Sequence, residues 1–203
     1  MKQILLTLIL AALPATAQWR HFGDEPLRPT GSFGAGFSTP INPLATRLDA
    51  GWNLAGGVGV TGNYVGINLD AMFTDFGINH ATLLRAGLQG GSQKYWAITV
   101  DPIFHVNQRG PLDFYITGGG GVYSQITTYR VPRTGFRGPF SERDDLVGSY
   151  SLYKPGVNGG AGFSFDMGYY RSPVKIFVEA RFHHMFTRGS DVSFVPVTLG
   201  VRF

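Results

Sequence analysis

Phe194-Val195-Pro196-Val197-Thr198-Leu199-Gly200-Val201-Arg202-Phe203, the last ten residues, decide the fold. Val195, Val197, Leu199, Val201 and Phe203 fall on one side of an extended chain. Phe194, Pro196, Thr198, Gly200 and Arg202 fall on the other. Successive side chains of a strand point to opposite faces, whereas a helix returns to the same face only after about 3.6 residues. The segment is therefore a strand with one apolar face and one largely polar face.

About seven upstream segments repeat this pattern. Phe33, Ala35 and Phe37 alternate with Ser32, Gly34, Gly36 and Ser38. Trp52, Leu54, Val58 and Val60 alternate with Asn53, Ala55, Gly57, Gly59 and Thr61. Val65, Ile67, Leu69, Ala71 and Phe73 alternate with Gly66, Asn68, Asp70 and Met72. Further segments carry Trp96 to Phe104, Leu112 to Val122, Ala161 to Met167 and Val174 to Phe182 on the apolar side. Their opposite sides hold Tyr95, Asp101 and His105; Asp113, Tyr115 and Tyr123; Ser164 and Asp166; and Lys175, Phe177, Glu179, Arg181 and His183. Each approaches the roughly 9–11 residues a tilted strand needs to cross a bilayer. Connections alternate in length. Tight turns are expected at 62–63, 107–111 and 168–173, and longer links at 39–51, 74–94 and 130–157, with a short last link at 187–191. Within 74–94, Asn79 as cap and Gly87 as stop predict one short helical turn.

Residues 1–17 read as a secretory signal. Lys2 supplies the charge, Ile4 to Leu13 the apolar run, and Ala15-Thr16-Ala17 the cleavage site. Residues 18–30, with Pro26 and Pro29, read as an irregular lead-in, and 31–203 as the folded body. There are no cysteines, so stability must come from packing and backbone bonding. No basic stripe with interleaved aromatics supports nucleic-acid binding. Gly57-Val58-Gly59-Val60-Thr61-Gly62 matches a dinucleotide fingerprint, but a strand follows it where that motif needs a helix. His183 and His184 point to opposite faces and cannot chelate one ion together. No cofactor, metal or catalytic residue is expected, and the chain reads as a non-enzyme.

Alternation leaves open which face is outward, since a soluble ligand-binding barrel alternates too. The polar face here is mostly Gly, Ser, Thr and Asn, whereas a water-facing exterior needs many Lys and Glu. Trp52, Trp96, Phe37 and Phe73 fall near the long-loop end of the apolar face. Phe33, Phe104, Phe114, Phe165 and Phe203 fall near the turn end. Two aromatic belts around an aliphatic middle suit the two interfaces of a membrane. The expected fold is an all-β, antiparallel, up-and-down transmembrane barrel of about eight strands, closed because lipid leaves sheet edges unsatisfied. Its interior then collects Asp70, Asp101, Asp113, Asp166, Lys175, Glu179, Arg181 and Arg202, which predict a paired, hydrated network. A lumen this narrow is filled by side chains.

The signal segment, the strands and the final Val197-Thr198-Leu199-Gly200-Val201-Arg202-Phe203 resemble the small outer-membrane barrels of the OmpA/OmpX type, without a peptidoglycan-binding domain. The resemblance implies location in a bacterial outer membrane and contact with its lipids and lipopolysaccharide. It also implies that Val197, Leu199, Val201 and Phe203 form the signal read by the assembly machinery. The implied role is structural or surface-interacting. One alternative is a narrow channel or hydrophobic-solute conduit, as in OmpW-like barrels. Another is a lipid A-modifying enzyme; such barrels carry a Ser two residues after a His, and Phe186 stands two after His184. The arginines at 130, 133, 137 and 143 in the longest link are candidates for phosphate contacts.

Overall fold

The period-two segments become eight strands because each alternates one face that avoids water with one that fills an interior. In a computed structural model of the protein, the described residues are 27–87, 90–106, 112–130, 146–166, 174–187 and 191–203. The strands are β1 (Arg28–Pro40), β2 (Gly51–Thr61), β3 (Val65–Gly77), β4 (Gly90–His105), β5 (Leu112–Arg130), β6 (Leu146–Asp166), β7 (Lys175–Met185) and β8 (Val192–Arg202). Each pairs antiparallel with its sequence neighbour, and β8 pairs with β1 to close the barrel. Main-chain bonds between Gly31 and Phe203, at 2.8 and 2.9 Å, finish the seam. A 3-10 turn, Leu44–Thr46, lies in the first long connection. Helix α1 (His80–Ala86) lies in the second. The Asn79 side chain accepts from the Ala81 N–H at 2.9 Å, and Gly87 ends the helix in the left-handed region at φ 66°, which glycine adopts without a side-chain clash.

Three boundaries differ from the sequence reading. Strand β1 starts at Arg28, so the barrel takes in Arg28–Thr30 of the expected lead-in, paired with Thr61, Val60 and Gly59. The 74–94 connection shrinks because β3 runs to Gly77 and β4 begins at Gly90. The 130–157 link shrinks more, since β6 begins at Leu146 and pairs with β5 up to Arg130↔Leu146. Tyr150 and Tyr153 thus belong to a strand rather than a loop. The physical reason is common to the last two. Ladder bonds continue wherever two backbones run side by side, whether or not an apolar face still alternates. The expected signal at 1–17, the turns at 107–111 and 168–173, Met167, and the arginines at 133, 137 and 143 lie outside the described residues.

Glycine makes the lumen fit its contents. Large interior side chains lie against glycines of adjacent strands: Asp70 opposite Gly57, Tyr115 opposite Gly162, Arg181 opposite Gly160 and Phe177 opposite Gly200. A Cβ at Gly162 would meet the Tyr115 ring at 2.5 Å and the Val178 carbonyl oxygen at 2.8 Å. At outward-facing Gly159 a Cβ would meet nothing within 4 Å. Gly162→Ala is therefore expected to destabilise the detergent-refolded barrel by about 1–3 kcal/mol through overpacking. Gly159→Ala should stay within about 0.5 kcal/mol. Urea unfolding of both variants beside the parent tests the contrast.

Candidate functional site

From the loop end inward, the lumen is layered. The first layer is apolar: Leu44, Leu48, Met72, Phe76, Tyr95, Ala97, Tyr123, Met185, Val192 and Phe194 form one buried cluster. At its centre Phe76, Tyr95 and Phe194 meet with ring centroids 5.5–5.8 Å apart. The His183 ring stacks on Phe194 at 5.3 Å, and its Nδ1 lies 2.8 Å from the Tyr123 hydroxyl. Sequence reading placed Tyr123 and Phe194 inward but missed this plug, because Phe76 and Met185 lie beyond the segments recognised as alternating. The first long connection folds Leu44 and Leu48 down onto it.

Below the plug is the charged layer. Arg181 reaches across the lumen. Its Nη2 lies 2.8 Å from Asp70 Oδ2, its Nη1 2.8 Å from Asp101 Oδ2, and its Nε 2.5 Å from Glu179 Oε1. One guanidinium thus ties β3, β4 and β7. Its planar fork of donors suits several carboxylates at once, as a lysine's point charge does not. Asp101 is fully buried and also accepts from Thr99 at 2.7 Å and Asn158 at 2.8 Å. A neutral group of side chains flanks this layer: Asn53 donates to Ser38 at 3.2 Å and accepts from Thr198 at 3.0 Å.

The remaining expected charges divide among other partners. The Arg202 guanidinium lies over the Tyr115 ring at 4.6 Å and the Phe177 ring at 5.3 Å. Asp113 meets His105, with Nδ1 to Oδ2 at 2.6 Å, and accepts from Ser164 at 3.3 Å. His105 Nε2 in turn lies 3.3 Å from Thr61 Oγ1. Asp166 and Lys175 pair at 3.2 Å at the turn-end mouth, where both stay partly exposed. The eight charges therefore do not form one network. Four meet at Arg181, two form the mouth pair, and Asp113 and Arg202 take ring partners that strand alternation alone cannot identify.

The exterior is apolar. Val58, Leu69, Ile98, Val100, Ile116, Val122, Val197 and Leu199 are all exposed. Trp52, Phe73 and Trp96 form a continuous row, with centroids 5.2 and 4.6 Å apart, and Phe37 pairs with Trp52 in register beside them. Phe33, Phe104, Phe165 and Phe203 are exposed toward the turn end, and Phe114 packs on Phe163 at 5.1 Å. Among the described residues, no helix is long and apolar enough to cross a membrane.

Among the described residues, polar side chains reach the outer face near the loop end at Asp75 and Lys94, 4.0 Å apart, and at His184. His184 pairs in register with Ser193, and its Nδ1 lies 2.8 Å from Ser193 Oγ. Its Nε2 lies 3.8 Å from Asp191 Oδ2. Phe186 stands two residues on, yet the neighbouring strand brings a serine to His184. Sequence spacing could not show that.

No protein-family model and no curated protein sequence matches the chain. Solved structures do. Neisserial surface protein A is 13% identical over 88% of this chain and 98% of its own, with a TM-score of 0.59. A major outer membrane protein from Thermus thermophilus is 11% identical over 87% and 99%, with a TM-score of 0.58. The fold is that of the small eight-stranded outer-membrane barrels.

Arg181→Met leaves Asp70, Asp101 and Glu179 buried without their shared counter-charge. We expect it to lower unfolding free energy by about 3–5 kcal/mol. Equilibrium urea unfolding in detergent reads this directly. A loss below about 1 kcal/mol would mean that the layer is no more than a surface-type ion pair.

Proposed function

We propose that this protein is an integral barrel of a bacterial outer membrane, exported through a cleaved signal, with a structural or surface-interaction role and no open pore. One observation carries the reading: an exterior of exposed Val, Leu, Ile, Phe and Trp encloses a lumen closed by side chains. A band of this extent left in water is a liability for a soluble monomer. In lipid it is the required solvent-facing surface, and the closed ladder leaves no sheet edge unpaired there. Outer-leaflet lipids and lipopolysaccharide are the proposed partners of the loop end. Val197, Leu199, Val201 and Phe203 are the proposed recognition strand during assembly.

The narrow-channel alternative meets the aromatic plug. Phe76, Tyr95 and Phe194 pack ring to ring toward the loop end of the lumen, and hydrophobic constrictions of this kind close pores by dewetting. The refolded protein in planar bilayers is therefore expected to show no stable open level. Phe76→Ala combined with Phe194→Ala, if the variant keeps its heat-modifiable gel migration, should raise the frequency of conducting events. Large steady channels from the parent protein would contradict the filled-lumen reading.

The enzyme alternative has one observation in its favour, the His184–Ser193–Asp191 arrangement, because a hydroxyl within reach of an imidazole is the pattern of an activated nucleophile. The main reading treats it as mutual hydrogen bonding of polar groups at the outer rim. Incubation with purified lipid A followed by mass spectrometry separates the two. Unchanged acyl chains are expected, and a chain loss that disappears in Ser193→Ala would establish the enzyme.

A further inference from the structure

The Glu179 carboxylate meets Arg181 through one oxygen and faces the Tyr115 hydroxyl. Oε1 accepts from Arg181, while Oε2 is buried and bonded to nothing in the protein. The residue is only 7% exposed. It borders a cavity of about 30 Å³ that Asp70, Thr99, Arg181, His183, Thr198 and Arg202 also line. A space of this size holds one or two water-sized occupants, each needing roughly 10–15 Å³. Other buried polar atoms of its surroundings are also without a hydrogen-bond partner: Arg202 Nε and His183 Nε2. Buried polar groups rarely remain unpaired, so these atoms mark the place of something the chain itself does not provide.

The charges say what that occupant carries. The groups facing Glu179 are Asp70 from β3, Asp101 from β4, Tyr115 from β5, Arg181 and His183 from β7, and Arg202 from β8. The described residues of β1, β2 and β6 bring no ionisable side chain to the cavity lining. Three carboxylates therefore face two guanidinium groups. His105 and Asp113 pair with each other nearer the turn end, and Lys175 and Asp166 do so at the mouth. The layer is left one positive charge short in a confined interior, where an uncompensated charge is strongly disfavoured.

We propose that this cavity binds one monovalent positive charge, held by Glu179 Oε2 with Asp70. It is either a proton or a sodium ion. The deficit is a single charge, which directs the proposal to a singly charged occupant. The inference concerns the interior and stands whether or not the surface role above is correct.

The test is urea unfolding of the refolded, full barrel in detergent, in two titrations. One exchanges sodium chloride for choline chloride at constant ionic strength, and the other varies pH at fixed salt. Each is run on the parent, on Glu179→Gln and on Asp70→Asn. Either substitution removes one negative charge at nearly constant volume, and each keeps an oxygen able to accept from Arg181. A sodium site predicts that the parent's unfolding constant falls by up to tenfold for each tenfold rise in sodium. A proton site predicts that it rises by up to tenfold per pH unit between the carboxyl's pKa in the unfolded chain and its higher pKa in the folded barrel, because only the folded form holds the extra proton there. In whichever variant folds, that slope is lost. Identical slopes for parent and variants in both titrations would mean that neutral water alone fills the cavity, and would overturn the proposal.

Discussion

An exterior of aliphatic and aromatic side chains is the constraint from which the rest of this barrel follows. Where no water reaches the surface, every backbone N–H and C=O must find its partner within the sheet. That demand selects closure, and the bonds between Gly31 and Phe203 complete it. It also inverts the usual arrangement of a globular protein. Polar residues cannot go outside, so they go in, and the interior has to satisfy them in little space.

The sequence answers that demand with two devices. Glycine removes side chains from one strand so that a large residue on the next can occupy the lumen, as where Tyr115 covers Gly162 and Phe177 covers Gly200. Arginine bridges the gap, since the Arg181 side chain is long enough to meet Asp70 and Asp101 on the opposite wall. The apolar plug completes the filling at the loop end. The result is a cylinder whose contents hold β3, β4 and β7 together from inside, in addition to the ladder that links neighbours around the wall.

How much of this the sequence shows depends on the question asked of it. A period of two tells which wall a residue faces, and it placed Tyr115, Tyr123, Phe177 and Arg181 inside and Trp52, Trp96 and Leu199 outside. Local chemistry likewise revealed the small helix through Asn79 and Gly87. Alternation does not tell height or partner. Asp101 and Arg181 are 80 residues apart in sequence, and their meeting depends on register summed around half the barrel. For the same reason the His105–Asp113 pair, the Phe76–Tyr95–Phe194 plug and the Ser193 beside His184 were not legible. Strand ends were misjudged at β4 and β6 because backbone pairing outlasts the apolar pattern that reveals it.

Everything above depends on side-chain direction: Val197, Leu199 and Val201 face lipid, and Thr198 and Gly200 face the lumen. With no native cysteine to remove, single-cysteine spin labels at 197 through 201 can be introduced one at a time and the protein reconstituted in bilayers. The expected result is an alternation in accessibility to dissolved oxygen, high at 197, 199 and 201 and low at 198 and 200. The reverse phase, or a uniform profile accessible to a water-soluble relaxant, would contradict the account.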